Sequence, residues 1–315
     1  MSSFQSATLN FIIKSLRSTL FIHKTETLTH RQSFERISHI IKFPRFVERK
    51  DEQIAGLEGA WFLPKRSNNN KTILYFHGGG FCVGSHNTHR ALIARIARES
   101  GHPAYGVNYR KAPENPFPAA LDDAYAVYME LLNRGVKNII VAGDSAGGGL
   151  CLSLMLKLRN EKKTMPIAAM LISPWTDLSM TGETIRTKAN VDPLIEPSLL
   201  YVFANKYIGE YEATNPFISP LFADLDNFPP IYIQVGGNEV LLDDSLRLAK
   251  KLKEHNVPVK IDVYPGMMHV FHWMAGIVPE AHGAIDKIGM FIKEVTEVKA
   301  TPEVVRGKIR RLKIA

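Results

Sequence analysis

From residue 71 onward, short apolar runs alternate with longer stretches whose apolar residues recur at three- and four-residue spacing. The short runs predict strands at 72–76, 104–107, 138–142, 167–172, 231–235 and 260–263. The longer stretches predict helices at 87–99, 118–132, 146–159, 241–255 and 284–295; in the first of these, Ala91, Leu92, Ile96 and Ala97 supply apolar positions. Strands alternating with helices fold as a mostly parallel sheet covered on both faces, which makes the fold class α/β. The ligand site of such a sheet lies beyond the carboxyl ends of its strands.

Two stretches break the alternation. In residues 1–45, Leu9, Ile12, Ile13, Leu16 and Leu20 recur at helical spacing and predict an amphipathic helix. Residues 177–228 are interrupted by Pro193, Pro197, Pro216 and Pro220. Both stretches are expected to fold over the carboxyl edge of the sheet as a helical cap. The expected organisation is an N-terminal cap segment (1–45), a main α/β domain (46–300) with a cap insertion (177–228), and a basic tail (301–315). For the N-terminal helix the rival reading is a membrane-surface anchor; the cap is preferred because Lys14 and Arg17 are the only cations among its polar residues. The polar run 67–70 reads as a turn ahead of a strand.

Composition narrows this picture without redirecting it. The chain has 315 residues, 45% hydrophobic and 22% charged, and a chain of this size buries a large core without covalent staples. Its two cysteines, Cys82 and Cys151, form no framework and are expected as reduced thiols. No secretory signal is legible, and no run reaches the roughly 18 apolar residues of a membrane span. A soluble, cytoplasmic protein without stable membrane insertion is expected. The formal charge is +8, and Arg306, Lys308, Arg310, Arg311 and Lys313 crowd the end of the chain. That tail reads as a solvated one, because no nucleic-acid motif accompanies it. A homo-oligomer is compatible with the sequence.

The candidate chemistry begins at Gly143-Asp144-Ser145-Ala146-Gly147. This G-x-S-x-G lies between a predicted strand and a predicted helix, the context of a nucleophile elbow. Small flanking residues allow the sharp turn, and the turn lifts the serine oxygen to a helix N-terminus. A second motif, His77-Gly78-Gly79-Gly80, directly follows the strand at 72–76. Loops of this type supply part of the oxyanion hole in lipases and esterases, together with the N–H of the residue after the nucleophile. Gly78, Gly79 and Ala146 are therefore the candidate donors, each worth roughly 3–4 kcal/mol of barrier. His77 is expected to fix the loop rather than move protons.

With both motifs present, the chain resembles the hormone-sensitive-lipase-like family of α/β hydrolases, its bacterial esterases in particular. Tyr109-Arg110-Lys111-Ala112-Pro113-Glu114, Phe117-Pro118-Ala119-Ala120, Ser173-Pro174-Trp175-Thr176-Asp177 and Val235-Gly236-Gly237-Asn238-Glu239 extend the resemblance over residues 70–295. Asn108 departs from it, since relatives commonly carry aspartate there; the departure reads as structural. The resemblance implies an α/β-hydrolase fold and a triad in the chain order serine, acid, histidine. Among His255, His269, His272 and His282, it is His269 that matches the family's catalytic position, on a loop past the strand at 260–263; His272 is the local rival. Relatives often carry D-P-L-x-D where this chain has Glu239-Val240-Leu241-Leu242-Asp243. That match puts Glu239 in the acid's place, with Asp243 the alternative. Asp144 reads as structural.

The expectation is hydrolysis of a small-molecule ester of short to medium acyl length through an acyl-enzyme on Ser145, with no cofactor. His86-x-x-His89 and His269-x-x-His272 lack the H-E-x-x-H pattern of a metal hydrolase, and neither a phosphate loop nor a dinucleotide fingerprint is present. Two rivals stay open. One is amide or thioester hydrolysis on the same machinery. The other is a non-catalytic small-molecule receptor of the same fold, such as the family's plant hormone receptor that has lost its histidine.

Overall fold

The computed structural model describes residues 3–20, 27–68 and 70–297. The basic tail at 301–315 and Asn69 of the expected turn lie outside them. The elements in chain order are α1 (Phe4–Leu20), α2 (Thr27–Ser38), β1 (Val47–Asp51), β2 (Gly59–Pro64), β3 (Thr72–Phe76), α3 (Arg90–Ser100), β4 (Ala104–Val107), α4 (Ala119–Asn133), β5 (Ile139–Asp144), α5 (Ala146–Asn160), β6 (Ala168–Ile172), α6 (Thr184–Thr187), α7 (Pro197–Ile208), β7 (Ile231–Gly236), α8 (Leu242–Glu254), β8 (Val259–Tyr264) and α9 (Pro279–Glu297).

The eight strands form one sheet in the order β1-β2-β4-β3-β5-β6-β7-β8. From β4 to β8 the pairing is parallel, whereas β1 and β2 add an antiparallel edge. The pleat sends alternate side chains to opposite faces. Ile73 and Tyr75 of β3 therefore join the core under α3 and α9, and Leu74 and Phe76 join the core under α4, α5 and α8. Every residue of β3, β5, β6 and β7 is buried, as expected of a sheet covered on both faces.

The predicted elements from 72 onward are all present, with shifted ends. The largest shift is in α9, which starts at Pro279 rather than 284; proline is well suited to the first helical position, where no N–H is needed. β1, β2, α2, α6 and α7 were not predicted. β1 reads Val-Glu-Arg-Lys-Asp and is largely exposed, so it has no apolar face for a pattern to reveal.

The two stretches outside the alternation touch loops that follow strands, and each other. From α1, Asn10 Nδ2 donates to Gly266 O at 2.9 Å and Ser6 Oγ to Met267 Sδ at 3.5 Å, both on the loop after β8. From α2, Arg31 reaches Glu114 at 2.7 Å, while Lys206 Nζ of α7 donates to Thr27 Oγ1 at 2.8 Å.

Candidate active site

Ser145 joins β5 to α5 with φ +52° and ψ −122°, a conformation that costs a non-glycine residue about 1–3 kcal/mol. Its backbone is held there. Ser145 N donates to Ile172 O at 2.9 Å, and Trp175 N and Gly148 N donate to Ser145 O at 2.9 and 3.0 Å. The next turn passes so close to β3 that a Cβ on Gly147 would stand 2.0 Å from the Phe76 carbonyl oxygen. Glycine is thus required at 147. Ala146 opens α5, where first-turn N–H groups have no acceptor within the helix.

The loop after β3 turns at Gly79, whose φ of +114° is open to glycine and strained for any side chain. His77 anchors this loop. Its ring stacks on Tyr109 at 4.2 Å, its Nδ1 meets Gly78 O at 2.8 Å, and Tyr109 Oη donates to His77 O at 2.7 Å. Burial, helped by the Lys111 charge, holds His77 well below the usual imidazole pKa, so it is neutral.

The expectation for Gly78 is revised. Its N–H donates to Asp144 Oδ1 at 3.1 Å, and a donor already committed to a carboxylate is not free for an oxyanion. Gly79 and Gly80, not Gly78, line the cavity beside Ser145. Asp144 also accepts Tyr75 Oη at 2.7 Å and meets His89 Nε2 at 3.2 Å. Burial works to raise the Asp144 pKa, but the His89 ring and the hydrogen bonds from His89 and Tyr75 outweigh it and hold the carboxyl below its ordinary value. An ionised Asp144 thus ties the glycine loop to the nucleophile's strand. Hydrogen bonds to charged groups contribute about 1.5–3 kcal/mol each. Asp144→Asn is therefore expected to lower kcat by roughly ten- to a hundredfold through loosened oxyanion donors, with KM nearly unchanged. An unaltered kcat in a folded variant would show that the loop keeps its geometry without this carboxylate.

On the other side of Ser145, His269 follows β8 and Glu239 follows β7. His269 Nδ1 lies 2.8 Å from Glu239 Oε2. The other carboxylate oxygen accepts Ser173 Oγ at 2.6 Å and Gly236 N at 2.5 Å, and Ser173 Oγ accepts Val270 N at 3.3 Å. Burial acts to lower the His269 pKa, but the Glu239 carboxylate, with Asp192 and Asp144 further out, reverses the sign and raises it above 6.5. Asp243 turns elsewhere: its carboxylate accepts Thr184 N at 3.1 Å. His272 is a core residue whose Nε2 meets Gln234 Oε1 at 2.7 Å, and burial pushes its pKa down to about 3. Asn108 Oδ1 accepts Lys111 Nζ at 2.7 Å, away from these groups.

Ser145, His269, Gly79 and Gly80 open onto one apolar cavity of about 210 Å³. Ile13 of α1, Phe34 of α2, Leu199 and Phe203 of α7, and Trp273 form much of its wall. The sequence reading missed Gly80, Ser173, the α2 side chains and Asp192. Asp192 is fully buried; it accepts Val240 N at 3.0 Å and Leu194 N at 2.9 Å, and so pins a cavity-lining segment to the residue after Glu239. Two of these had a sequence signal, Gly80 in the glycine motif after β3 and Ser173 in the Ser-Pro-Trp motif; the α2 side chains and Asp192 had none. Among the described residues one group, Asp224, Asp226 and His255, has metal-ligating atoms within 4.8 Å of one another. His255 already bonds Asp226 at 2.6 Å, and none of the three lines the cavity.

Comparisons with known proteins bear on the family and the overall fold. The family described as alpha/beta hydrolase fold matches residues 73–273. An acetyl-hydrolase of Streptomyces hygroscopicus is 37% identical over 238 residues, 75% of this chain and 79% of that protein. An esterase of Acinetobacter venetianus is 37% identical over 242 residues, 76% of this chain and 80% of that protein. The crystal structure of an esterase from the bacterial hormone-sensitive lipase family superposes with a TM-score of 0.89 at 34% identity, over 93% of this chain and 99% of that one.

Proposed function

The chain belongs to the alpha/beta hydrolase fold family, in its hormone-sensitive-lipase-like branch, and is a carboxylester hydrolase; on that premise we propose that Ser145, His269 and Glu239 are its catalytic triad. The observation that carries the assignment is that Ser145 and a Glu239-bound His269 share one apolar cavity with a glycine loop. In this reading Ser145 Oγ attacks the ester carbonyl and His269 Nε2 takes the hydroxyl proton. Glu239 fixes the Nδ1–H tautomer and stabilises the imidazolium that forms. Gly79, Gly80 and Ala146 N–H groups receive the oxyanion. The imidazolium then protonates the leaving alcohol, and water, activated by the same histidine, releases the acid.

The segment 1–45 and the insertion 177–228 act in this reading as the cap that shapes the cavity, and short to medium acyl esters are the substrates. The free, buried Cys82 and Cys151 support a reducing, cytoplasmic setting. The test is a panel of p-nitrophenyl esters of increasing acyl length with one anilide. Rapid turnover of the short esters and little of the anilide is expected; the reverse order would favour an amidase.

The base must be neutral to act. With its pKa raised by Glu239, His269 is protonated up to a higher pH than free imidazole, so kcat/KM is expected to fall on the acid side with an inflection above pH 6.5. An inflection below that value would place a different group in the base's role.

A further inference from the structure

α1 presents an inner and an outer side. Its inner side meets the loop that carries His269, through Ser6 and Asn10, and its Ile13 lines the cavity. Its outer side carries Phe4, Phe11 and Ile12, which are 84%, 73% and 46% exposed. Phe4 and Phe11 are two helical turns apart and so share one stripe. Ile277, 67% exposed, stands three residues from Glu280, which Ser3 Oγ reaches at 2.8 Å. Packing against the domain accounts for the inner side alone. An exposed apolar stripe beside a substrate cavity marks an interaction surface.

Charge selects the partner. The first 25 residues contain Lys14, Arg17 and Lys24 and no carboxylate, and Lys14 is exposed, its Nζ donating to Asn190 O at 2.7 Å. Packed α1 against α1, a second copy would bring no acid from that helix to answer Lys14. An anionic lipid surface offers phosphates to the lysine and acyl chains to the phenylalanines, the arrangement of helices that lie in the membrane interface. We propose that α1 is a peripheral lipid-docking helix, which seats Phe4 and Phe11 in an anionic bilayer surface and holds the cavity against it. No helix among the described residues is long and apolar enough to cross a membrane, and the docking is to the surface alone. This goes beyond ester hydrolysis and rests on it only for the consequence that lipid-dissolved esters reach Ser145 directly.

The test is sedimentation of the full chain with vesicles of phosphatidylcholine alone and of phosphatidylcholine mixed with phosphatidylglycerol, with hydrolysis of water-soluble p-nitrophenyl acetate measured in parallel. The chain is expected to bind the mixed vesicles and bind them less as salt rises. The double variant Phe4→Ser/Phe11→Ser is expected to bind at least about tenfold more weakly, from the apolar area it no longer buries, yet to hydrolyse the soluble ester as before. Lys14→Glu should weaken binding to the mixed vesicles only. Equal binding by wild type and the double variant, or no binding to mixed vesicles, would overturn the proposal. So would a concentration-dependent dimer that the double variant abolishes, which would give the stripe to a second copy. Loss of soluble-ester hydrolysis in the wild type itself would strike the catalytic assignment and leave the docking result standing.

Discussion

Ser145→Ala is expected to fold as the wild type does and to lose five to six orders of magnitude in kcat, the scale on which removing a serine nucleophile acts (~10⁶). The reason is local. The hydroxyl is the only atom removed, and no hydrogen bond of Ser145 Oγ holds the fold; the elbow is held by the backbone bonds to Ile172, Trp175 and Gly148. Alanine meets the same strain at φ +52° as serine, so thermal stability should shift by less than about 0.5 kcal/mol, as for a change that touches no packing. The residual rate comes from substrate binding and the oxyanion donors, which persist. A fluorophosphonate probe should label the wild type at Ser145 and leave the variant unlabelled. Labelling of the alanine variant at the wild-type level would place the nucleophile elsewhere.

The parts of the site that could be read from sequence are those that the backbone dictates. Ser145 and the glycines of 77–80 lie at strand ends, and a strand–turn–helix leaves little freedom in where such residues go. Contacts that depend on tertiary approach were not legible. Gly78 and Gly79 are equal as letters; the difference is that Asp144, distant in sequence, takes the N–H of one of them. Asp144 reads as structural from the sequence, but its partners were not legible, because nothing in the chain announces that Tyr75 and His89 converge on it. The strands of the central sheet could be predicted because they are buried on both faces and read as unbroken apolar runs. β1, an edge strand rich in charge, could not. α2 hid for a related reason: much of its inward face is polar, with His30 and Ser33 at the cavity, so no apolar stripe marks it.

The second large effect separates two carboxylates four residues apart. Glu239→Gln keeps the shape of the side chain and removes its charge. Ser173 Oγ and Gly236 N can still donate to a glutamine oxygen. The amide group then faces His269 Nδ1 as a donor and favours the tautomer that carries its proton on Nε2, where a base has no lone pair to offer Ser145. The imidazolium formed during attack also loses its counter-charge. The comparable acid-to-amide change in a serine protease lowers turnover about 10⁴-fold; here a fall of roughly three to four orders of magnitude in kcat is expected, with KM and Tm nearly unchanged. The same substitution should move the acid inflection of any residual activity downward, since Glu239 is the main charge that raises the His269 pKa. Asp243→Asn removes a carboxylate from the first turn of α8, where it accepts Thr184 N. Its loss should cost about 0.3–1 kcal/mol through the helix-start charge and leave kcat within a few-fold. Both variants are assayed on one ester, with thermal melts alongside. If Asp243→Asn abolishes turnover while Glu239→Gln stays active, the hydrogen bond between Glu239 and His269 is structural and the acid of the triad is Asp243.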